Sequence, residues 1–544
     1  MLIGNWEVSP TQGVITRGEE KVKLEPKVTE VLVYLATRPG EVVSRDDIEQ
    51  AVWPNALVGY ESVTKSIIKL RKALGDDARN PEYIETIPKR GYRLIAPVQE
   101  SSAGKTSPET RNSSRLAFAI SGMLLLAVAL VLVYMFMPES TSPDSENMTA
   151  TIPSIIVLPF ENLDKTQQSI SFTDGMTEDI ITDLSSISNL QVLASSTAFS
   201  LRGRQASVQE LGKELSVDFV LQGSIRRHKD SIRINAQLVD TSTGFQKWAK
   251  RYDRQTREAF EVQDELTASI VEALAVSLSP QEQQRMARRT TNNLAAYDHF
   301  REGQRQSKFG TRETNLLAEE AYKKAIDSDH NYGRAYGALA YTLAYRYRRG
   351  WTDTPVHTID RAIELGKLAT KLDDSIPQTF WSLGYAHMMA NEYEQAKQAV
   401  ENAIAISPNY ADAYGLLALI KNTLGESEQA IELVKKGMQL NPYYTWDYLY
   451  NLGRAYYSSG QIDKAIESLE QARTRNGNAM PIRLHLAASY ARAGRIDDAE
   501  WEVEEIQMLN PEETISLLKT TIPTNDPQYM QMFVSDLRKA GLPE

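Results

Sequence analysis

Three sets of side chains in this sequence of 544 residues are of types that do chemistry. The first is basic. Lys65, Lys69, Arg71 and Lys72 fall close together, and Lys89, Arg90 and Arg93 make a second short run. Clustered Lys and Arg neutralise phosphates, because each releases a condensed counterion from a nucleic-acid backbone. The second set is acidic: Asp174, Glu178, Asp179 and Asp183, which supply the oxygen donors a divalent cation takes. Metal sites normally draw ligands from more than one element, and carboxylates in the first turns of a helix are explained by its dipole, so no metal is expected there. The third set is 6 histidines, at 228, 299, 330, 357, 387 and 485, with no HExxH or paired metal spacing. No GxSxG elbow is present, and Gly104-Lys105-Thr106 lacks the upstream glycine and strand of a phosphate-binding loop. Cysteine is absent, which removes disulfides, thiolate zinc ligands and thiol catalysis together. The expectation is no metal, no cofactor and no enzymatic activity.

The basic residues need a scaffold, and the sequence supplies one over residues 1–98. IGNWEV, GVIT and KVKL are short β-prone runs broken by turn residues, as in a small antiparallel sheet. Val28, Val31, Leu32 and Leu35 line one face of a helix that begins after Pro26 and stops at Pro39-Gly40. Ser44 and Asp47 have the spacing of a capping box that opens a second helix, SRDDIEQAVW. In a third helix, from about Glu61 to Leu74, Val63, Ile67, Leu70 and Leu74 form the apolar stripe. Ser62, Lys65, Ser66, Lys69 and Lys72 lie mainly on the other side. YIETIPKRGYRLIAPV then reads as a hairpin with its tip at Lys89-Arg90-Gly91. Two helices joined by a short turn, followed by a basic-tipped hairpin, make a winged helix-turn-helix, whose third helix enters the DNA major groove.

Leu116 to Met137 is an uncharged stretch of 22 residues. As a helix it reaches roughly 33 Å, enough for the roughly 30 Å hydrocarbon core of a bilayer. Lys105, Arg111 and Arg115 precede it, and Glu139, Asp144 and Glu146 follow it. The positive-inside rule then predicts a cytoplasmic N-terminal part and an exported C-terminal part. Residues 99–115 and 138–151 are rich in Ser, Thr, Pro and charged residues and read as linkers. The net charge of −11 argues against nonspecific nucleic-acid binding by the whole molecule, so the basic function must be local.

EPKVTEVLVYLATRPGEVVSRDDIEQAVWP, SVTKSIIKLRKALGDD and YIETIPKRGYRLIAP together closely resemble the OmpR/PhoB-type winged helix. The likeness is greatest to the membrane-anchored, CadC-like (ToxR-type) branch, in which that domain stands at the N-terminus. This resemblance implies that Ser62, Lys65, Ser66 and Lys69 face bases or phosphates and that Arg71 and Lys72 lie near the backbone. It makes Lys89, Arg90 and Arg93 the wing contacts. Ile68 stands where many relatives carry a basic residue, which leaves base preference open. The chain starts directly with the winged helix, so no phosphoacceptor aspartate can be assigned.

Residues 152–290 alternate between apolar strands and helices, which predicts an α/β domain. VLPFENL, FTDGMTEDIITDLSSI and LGKELSVDFVLQGSIRR resemble the TolB-N-terminal-like domain. Residues 294–544 are repetitive: Ala396, Ala430, Ala465 and Ala499 recur at intervals of 34, 35 and 34, with Pro408, Pro442 and Pro511 at the repeat exits. Gly384, Ala418, Gly453 and Ala487 mark the first helix of each unit. A period of this length, with small residues where helices cross, is the tetratricopeptide (TPR) pattern. The units fall at about 377–410, 411–444, 446–479 and 480–513, after two degenerate ones, and QYMQMFVSDLRKAGL is expected to cap the stack. Tyr385, His387, Asn391, Tyr414, Asn422 and Tyr456 are candidate groove residues for a protein or peptide ligand.

The fold expectation is thus multidomain: an α+β winged helix, one transmembrane helix, an α/β TolB-N-like domain and an all-α TPR solenoid. The functional expectation is a one-component transcription regulator in a bacterial inner membrane, with its N-terminus cytoplasmic and its C-terminus periplasmic. Its expected partners are double-stranded promoter DNA, the transcription machinery, a periplasmic ligand on the array, the lipid bilayer and, when active, a second copy of the chain. The alternative is an envelope scaffold or assembly factor whose winged helix binds protein.

Overall fold

The computed structural model describes residues 1–18, 20–53, 60–77, 81–87, 90–99, 152–164, 166–228, 230–522 and 524–544. The span expected over 116–137 and both expected linkers, Gln99 aside, lie outside the described residues. Among the described residues no helix is long and apolar enough to cross a membrane. The chain divides into two compact units, one holding Met1–Glu85 and the residues from Tyr92 up to 151, the other Thr86–Gly91 and Ile152–Glu544.

In the N-terminal unit β1 (Leu2–Ile3), β2 (Trp6–Ser9), β3 (Val14–Arg17) and β4 (Glu20–Lys23) form an antiparallel meander. Three helices follow: α1 (Pro26–Ala36), α2 (Arg45–Val52) and α3 (Tyr60–Leu74), with β5 (Val42–Val43) between the first two. The hairpin strands β6 (Ile84–Ile87) and β7 (Gly91–Leu94) join β5 in a sheet of order β5-β7-β6, and β8 (Val98–Gln99) returns to β1. Local chemistry sets the boundaries. Proline occupies the first turn of α1, the Ser44–Asp47 capping box opens α2, and Gly75 at φ +72° ends α3. Trp6, Val31, Leu35, Ile48, Val63, Ile67, Leu70 and Tyr92 are buried in one core, and the Trp6 indole donates to the Leu74 carbonyl at 3.1 Å. That bond ties the meander to the end of α3.

The second unit opens with a mixed sheet. β9 (Ser154–Val157) runs parallel to β11 (Gln191–Val192) and to β12 (Phe219–His228), and β10 (Glu161–Asn162) also runs parallel to β12. β13 (Ser231–Asp240) and β14 (Gln246–Gln255) extend the sheet antiparallel. The helices of this domain are α4 (Gln167–Ser185), α5 (Ser195–Ser200), α6 (Val208–Leu215), α7 (Ala259–Leu274) and α8 (Pro280–Met286). α5 and α8 were not foreseen; both are short, and neither has an apolar period long enough to read.

Six helix pairs follow among the described residues: α9 (Leu294–Ser307) with α10 (Arg312–Ser328), α11 (Gly333–Arg348) with α12 (Pro355–Leu372), α13 (Pro377–Met389) with α14 (Tyr393–Ile406), α15 (Ala411–Thr423) with α16 (Ser427–Leu440), α17 (Trp446–Ser458) with α18 (Ile462–Arg475), and α19 (Met480–Arg492) with α20 (Ile496–Leu509). The corner of each pair holds one left-handed residue, in order Gly310, Gly350, Asn391, Gly425, Gly460 and Gly494. The small residues work as the period requires. A Cβ on Gly384 would stand 2.5 Å from Val400, and one on Gly453 the same distance from Leu469. α21 (Ile515–Thr521) and α22 (Pro527–Lys539) close the stack, with Phe533 fully buried and the Tyr457 hydroxyl donating to Asp536 at 2.8 Å.

The four carboxylates behave differently from expectation. α4 begins at Gln167 and has no acidic residue in its first turn, so the helix dipole does not account for them. Arginines take three of them instead, and Asp183 accepts from the Gln263 amide at 3.2 Å. Asp174 pairs with Arg202 at 2.5 Å, and Glu178 with Arg301 at 2.6 Å and Lys308 at 3.4 Å. Asp179 is buried, pairs with Arg334 and accepts the Tyr297 hydroxyl at 2.7 Å. The Arg301, Lys308, Arg334 and Tyr297 partners all come from the helical array, so α4 is bolted to it. Asn409 donates its amide to the carbonyls of Ser185, Ile187 and Leu190 at 3.3, 3.2 and 2.7 Å, and Asn441 accepts from Ser196 and Thr197 at 3.0 and 2.7 Å. The α/β domain and the array therefore share one unit.

Two measurements check this seam. Removing Arg334 alone leaves a buried unpaired charge, so Arg334→Met is expected to lower stability by about 3–5 kcal/mol in urea unfolding. The double variant Asp179→Leu with Arg334→Met should recover much of that loss, and equal stability of single and double variants would contradict the assignment. Burial, reinforced by the neighbouring Asp179, pushes the Asp183 carboxyl up to about 7. The folded state then holds a proton that the unfolded chain releases near pH 4. Stability contributed by this group is complete below that and is lost as pH rises to about 7. Asp183→Asn should flatten that slope, by on the order of 2 kcal/mol at pH 8.

Candidate nucleic-acid interface

The basic face of α3 is narrower than its sequence suggests. Val63, Thr64, Ile67, Leu70 and Leu74 face the core, and Ser66 is buried beside them. Lys69 and Lys72 are exposed. The side chains of Ser62 and Lys65 lie outside the described residues, as does Lys89. The Lys69 ammonium sits 2.8 and 2.9 Å from the two carboxylate oxygens of Glu25, the residue that precedes α1. An exposed pair of this kind contributes about 0–1 kcal/mol, so a phosphate oxygen can replace Glu25 at little cost.

Arg71 is placed otherwise. It is 4% exposed, and its guanidinium donates to the Ile84 carbonyl at 2.9 Å. It joins α3 to the first strand of the hairpin and so serves as a strut. On the hairpin Arg93 is half-buried and pairs with Glu85 at 3.2 Å across neighbouring strands. Arg90 is exposed at the turn, its N–H donating to the Ile87 carbonyl at 3.0 Å, and Gly91 follows at φ +132°. A side chain at that φ is strained, so the glycine is what lets the turn close behind Arg90. The arrangement brings Lys69, Lys72 and Arg90 to the surface and commits Ser66 and Arg71 to the fold beneath it.

Three positioning residues escaped the sequence reading. The Asp76 carboxylate accepts from the N–H groups of Glu82, Tyr83 and Ile84 at 2.7, 3.1 and 2.8 Å, which fixes where β6 starts after α3. Gly75-Asp76 after a helix was the available signal, since Asp commonly organises the turn that follows a helix end. Arg45 donates to the Tyr92 hydroxyl at 3.3 Å, and that hydroxyl donates to Thr64 at 3.3 Å, linking α2, β7 and α3. Lys27 donates to the Val52 carbonyl at 2.6 Å, at the end of α2.

The candidate groove residues of the array are engaged within it. Tyr385 is buried, stacked on Trp381 with centroids 5.6 Å apart, and accepts from Arg348 at 3.3 Å. His387 is buried and lies 2.5 Å from Glu392. Asn391 is the left-handed corner residue and accepts from the Tyr393 hydroxyl at 2.7 Å. Tyr414 donates to the Pro408 carbonyl at 3.0 Å, Asn422 to the Asn451 carbonyl at 3.0 Å, and the Tyr456 ring carries Lys464 at 5.5 Å. A cavity of about 210 Å³ lies nearby at the seam, lined by Glu178, Thr182, Gln378, Asn409 and Asp412 among others. Among the described residues no His, Asp or Glu cluster could hold a metal ion.

Comparison with known families matches residues 18–94 to one described as "Transcriptional regulatory protein, C terminal" and residues 150–273 to "HilA/YgeH-like transcriptional regulator, second domain". Residues 387–444 and 446–522 match tetratricopeptide repeats. The chain is 24% identical to "Transcriptional activator CadC" of Escherichia coli (strain K12), over 81% of this chain and 93% of that protein. It is 23% identical to "Transcriptional regulator HilA" of Salmonella typhimurium, over 88% of this chain and 77% of that protein. The chain is thus similar, over its winged helix and middle domain, to DNA-binding transcriptional regulators of the OmpR/HilA/CadC type. It is also 35% identical to "Putative adenylate cyclase 3" of Rhizobium meliloti over 45% of its length, which spans 42% of that relative. It has a winged helix, a mixed α/β middle domain and a TPR array.

Lys69→Ala and Arg90→Ala are each expected to weaken binding to any duplex and to lower the salt slope by about 0.9, one phosphate contact apiece. Arg71→Ala should instead lower the melting temperature of the winged helix. Anisotropy titrations across a salt series, with thermal melts of each variant, separate the two outcomes. Unchanged slopes for Lys69→Ala and Arg90→Ala would move the interface elsewhere.

Proposed function

We propose that the protein is a single-pass, membrane-bound one-component regulator whose cytoplasmic winged helix is controlled by a periplasmic TolB-like and TPR sensor. The observation that carries this reading is the 22-residue uncharged stretch from Leu116 to Met137 between a winged helix with its own core and a second unit that begins at Ile152. Lys65, Lys69, Lys72, Lys89 and Arg90 are the proposed phosphate contacts, and Ser62 the proposed base-facing residue. Ser66, Arg71 and Arg93 hold that surface in place. The domain assignments from sequence, 1–98, 99–115, 116–137, 138–151, 152–290 and 294–544, are kept in this reading, with the last two acting as one body.

A single span cannot carry a large internal rearrangement, and a linker of the composition of residues 99–115 damps small ones. Proximity does pass. If the periplasmic parts pair, two winged helices gain a high effective concentration for adjacent half-sites, because the second contact becomes intramolecular. Control is therefore by ligand- or partner-dependent dimerisation, without a phosphorylation step. The ligand is a periplasmic protein or peptide held by the array.

A reporter enzyme active only in the periplasm should be active when fused after Glu146 and silent when fused after Ser102; the reverse pattern would sink the topology. Replacing residues 138–544 by an unrelated constitutive dimer should give signal-independent regulation, and a monomeric replacement should give little. Equal regulation by both would remove the dimer mechanism and leave DNA binding intact.

A further inference from the structure

Phe245 stands out among the described apolar side chains: it is 77% exposed, at the tip of the β13–β14 hairpin. The turn that presents it is rigid. The Asp240 carboxylate accepts from the N–H groups of Ser242 and Thr243 at 3.0 and 2.9 Å and from their hydroxyls at 2.6 and 3.0 Å. The Asp240 N–H donates to the Phe245 carbonyl at 3.0 Å, and Gly244 takes φ +75°. Lys247, at a register irregularity in β14 two residues on, is exposed, with its ammonium 4.6 Å from the Phe219 ring centroid.

The register of the sheet says which end this is. Phe219 lies opposite both Ile155 of β9 and Asp240 of β13. The Asp218 N–H donates to the Ser154 carbonyl at 3.1 Å, and the Thr241 N–H to the Asp218 carbonyl at 2.9 Å. The hairpin tip therefore shares one end of the sheet with Ile152, where the chain enters the unit. Ile152 is itself 55% exposed. Residues 138–151 are all that separates this end from the uncharged stretch ending at Met137. A flexible linker of that length has a root-mean-square reach of roughly 20 Å.

We propose that Phe245, with Ile152 beside the tether and Lys247 above, docks the second unit on the lipid bilayer that holds the span. This rests on the membrane reading given above. An aromatic ring sits favourably at the headgroup level, and an adjacent ammonium meets lipid phosphates. One ring binds a bilayer weakly when free in solution, but a short tether makes the contact intramolecular, so weak intrinsic affinity suffices. Docking fixes which end of the unit faces the membrane and leaves the array directed into the compartment.

The absence of cysteine makes the test clean, because Gln246→Cys, beside an intact Phe245, introduces the sole thiol into the full chain. A nitroxide at that position, in protein reconstituted into phosphatidylcholine vesicles, should collide more with oxygen than with a water-soluble nickel chelate. A label at Leu125→Cys, in the proposed span, should do the same. A label at Phe309→Cys, 62% exposed on the array, should show the aqueous pattern. An aqueous pattern at Gln246→Cys with a membrane pattern at Leu125→Cys overturns the docking and spares the span. An aqueous pattern at both overturns the docking together with the membrane reading. Shielding from both reagents, or spin–spin broadening that vanishes on dilution with unlabelled chain, means a protein partner covers the site and also overturns it.

Discussion

The second unit depends on a buried charge seam. Asp179 is held by Arg334 and the Tyr297 hydroxyl, and Glu178 by Arg301 and Lys308, so one face of α4 is consumed by two helices and a loop of the array. Charges removed from water in this way add little net stability, yet each is strongly destabilising if its partner is lost. Such a seam specifies an arrangement more than it strengthens one. It lets a mixed sheet and a helical stack, whose cores could each exist apart, move as one body. The asparagines between repeats complete the joint: Asn409 satisfies the carbonyls at the end of α4, and Asn441 reaches Ser196 and Thr197.

In the winged helix the corresponding partners are backbone groups. Trp6 closes on Leu74, Asp76 gathers three N–H groups at the start of the hairpin, and Arg71 crosses from α3 to Ile84. These bonds fix the angle between the third helix and the wing, which decides whether Lys69 and Arg90 can meet phosphates of one duplex together. A contact surface of few residues is compatible with a chain of net charge −11, because screening confines the field to about a Debye length.

The two units carry different kinds of information. In the proposed function, phosphate contacts at the N-terminal surface position the protein on DNA, and sequence preference comes from the groups between them. The array offers surfaces made of aromatic and amide side chains already packed with one another, such as Tyr385 on Trp381 and Asn422 on Asn451. A ligand there meets preorganised groups and has less ordering to impose.

Much was legible from local pattern. The helix starts at Pro26 and Ser44, the stop at Gly75, the three long strands after Asp218 and the 34-residue period all follow from propensity, capping and periodicity, which act over a few residues. Fates that depend on distant partners were not legible. Asp179 and Arg334 are 155 residues apart, and nothing in the spacing of the four carboxylates announced that arginines would take three of them. Ser66 fell on the polar side of α3 in sequence, and the resemblance put Arg71 near the DNA backbone, but both are buried in the fold, where Arg71 reaches across to the Ile84 carbonyl of β6. Asn391 read as a groove residue and is a helix corner, since an asparagine tolerates the left-handed conformation that glycine adopts in the other repeats. By itself the sequence determined the element types, the repeat and the uncharged stretch. Only tertiary structure decided which polar groups are buried and paired, because that cost is settled by whatever the fold brings opposite them.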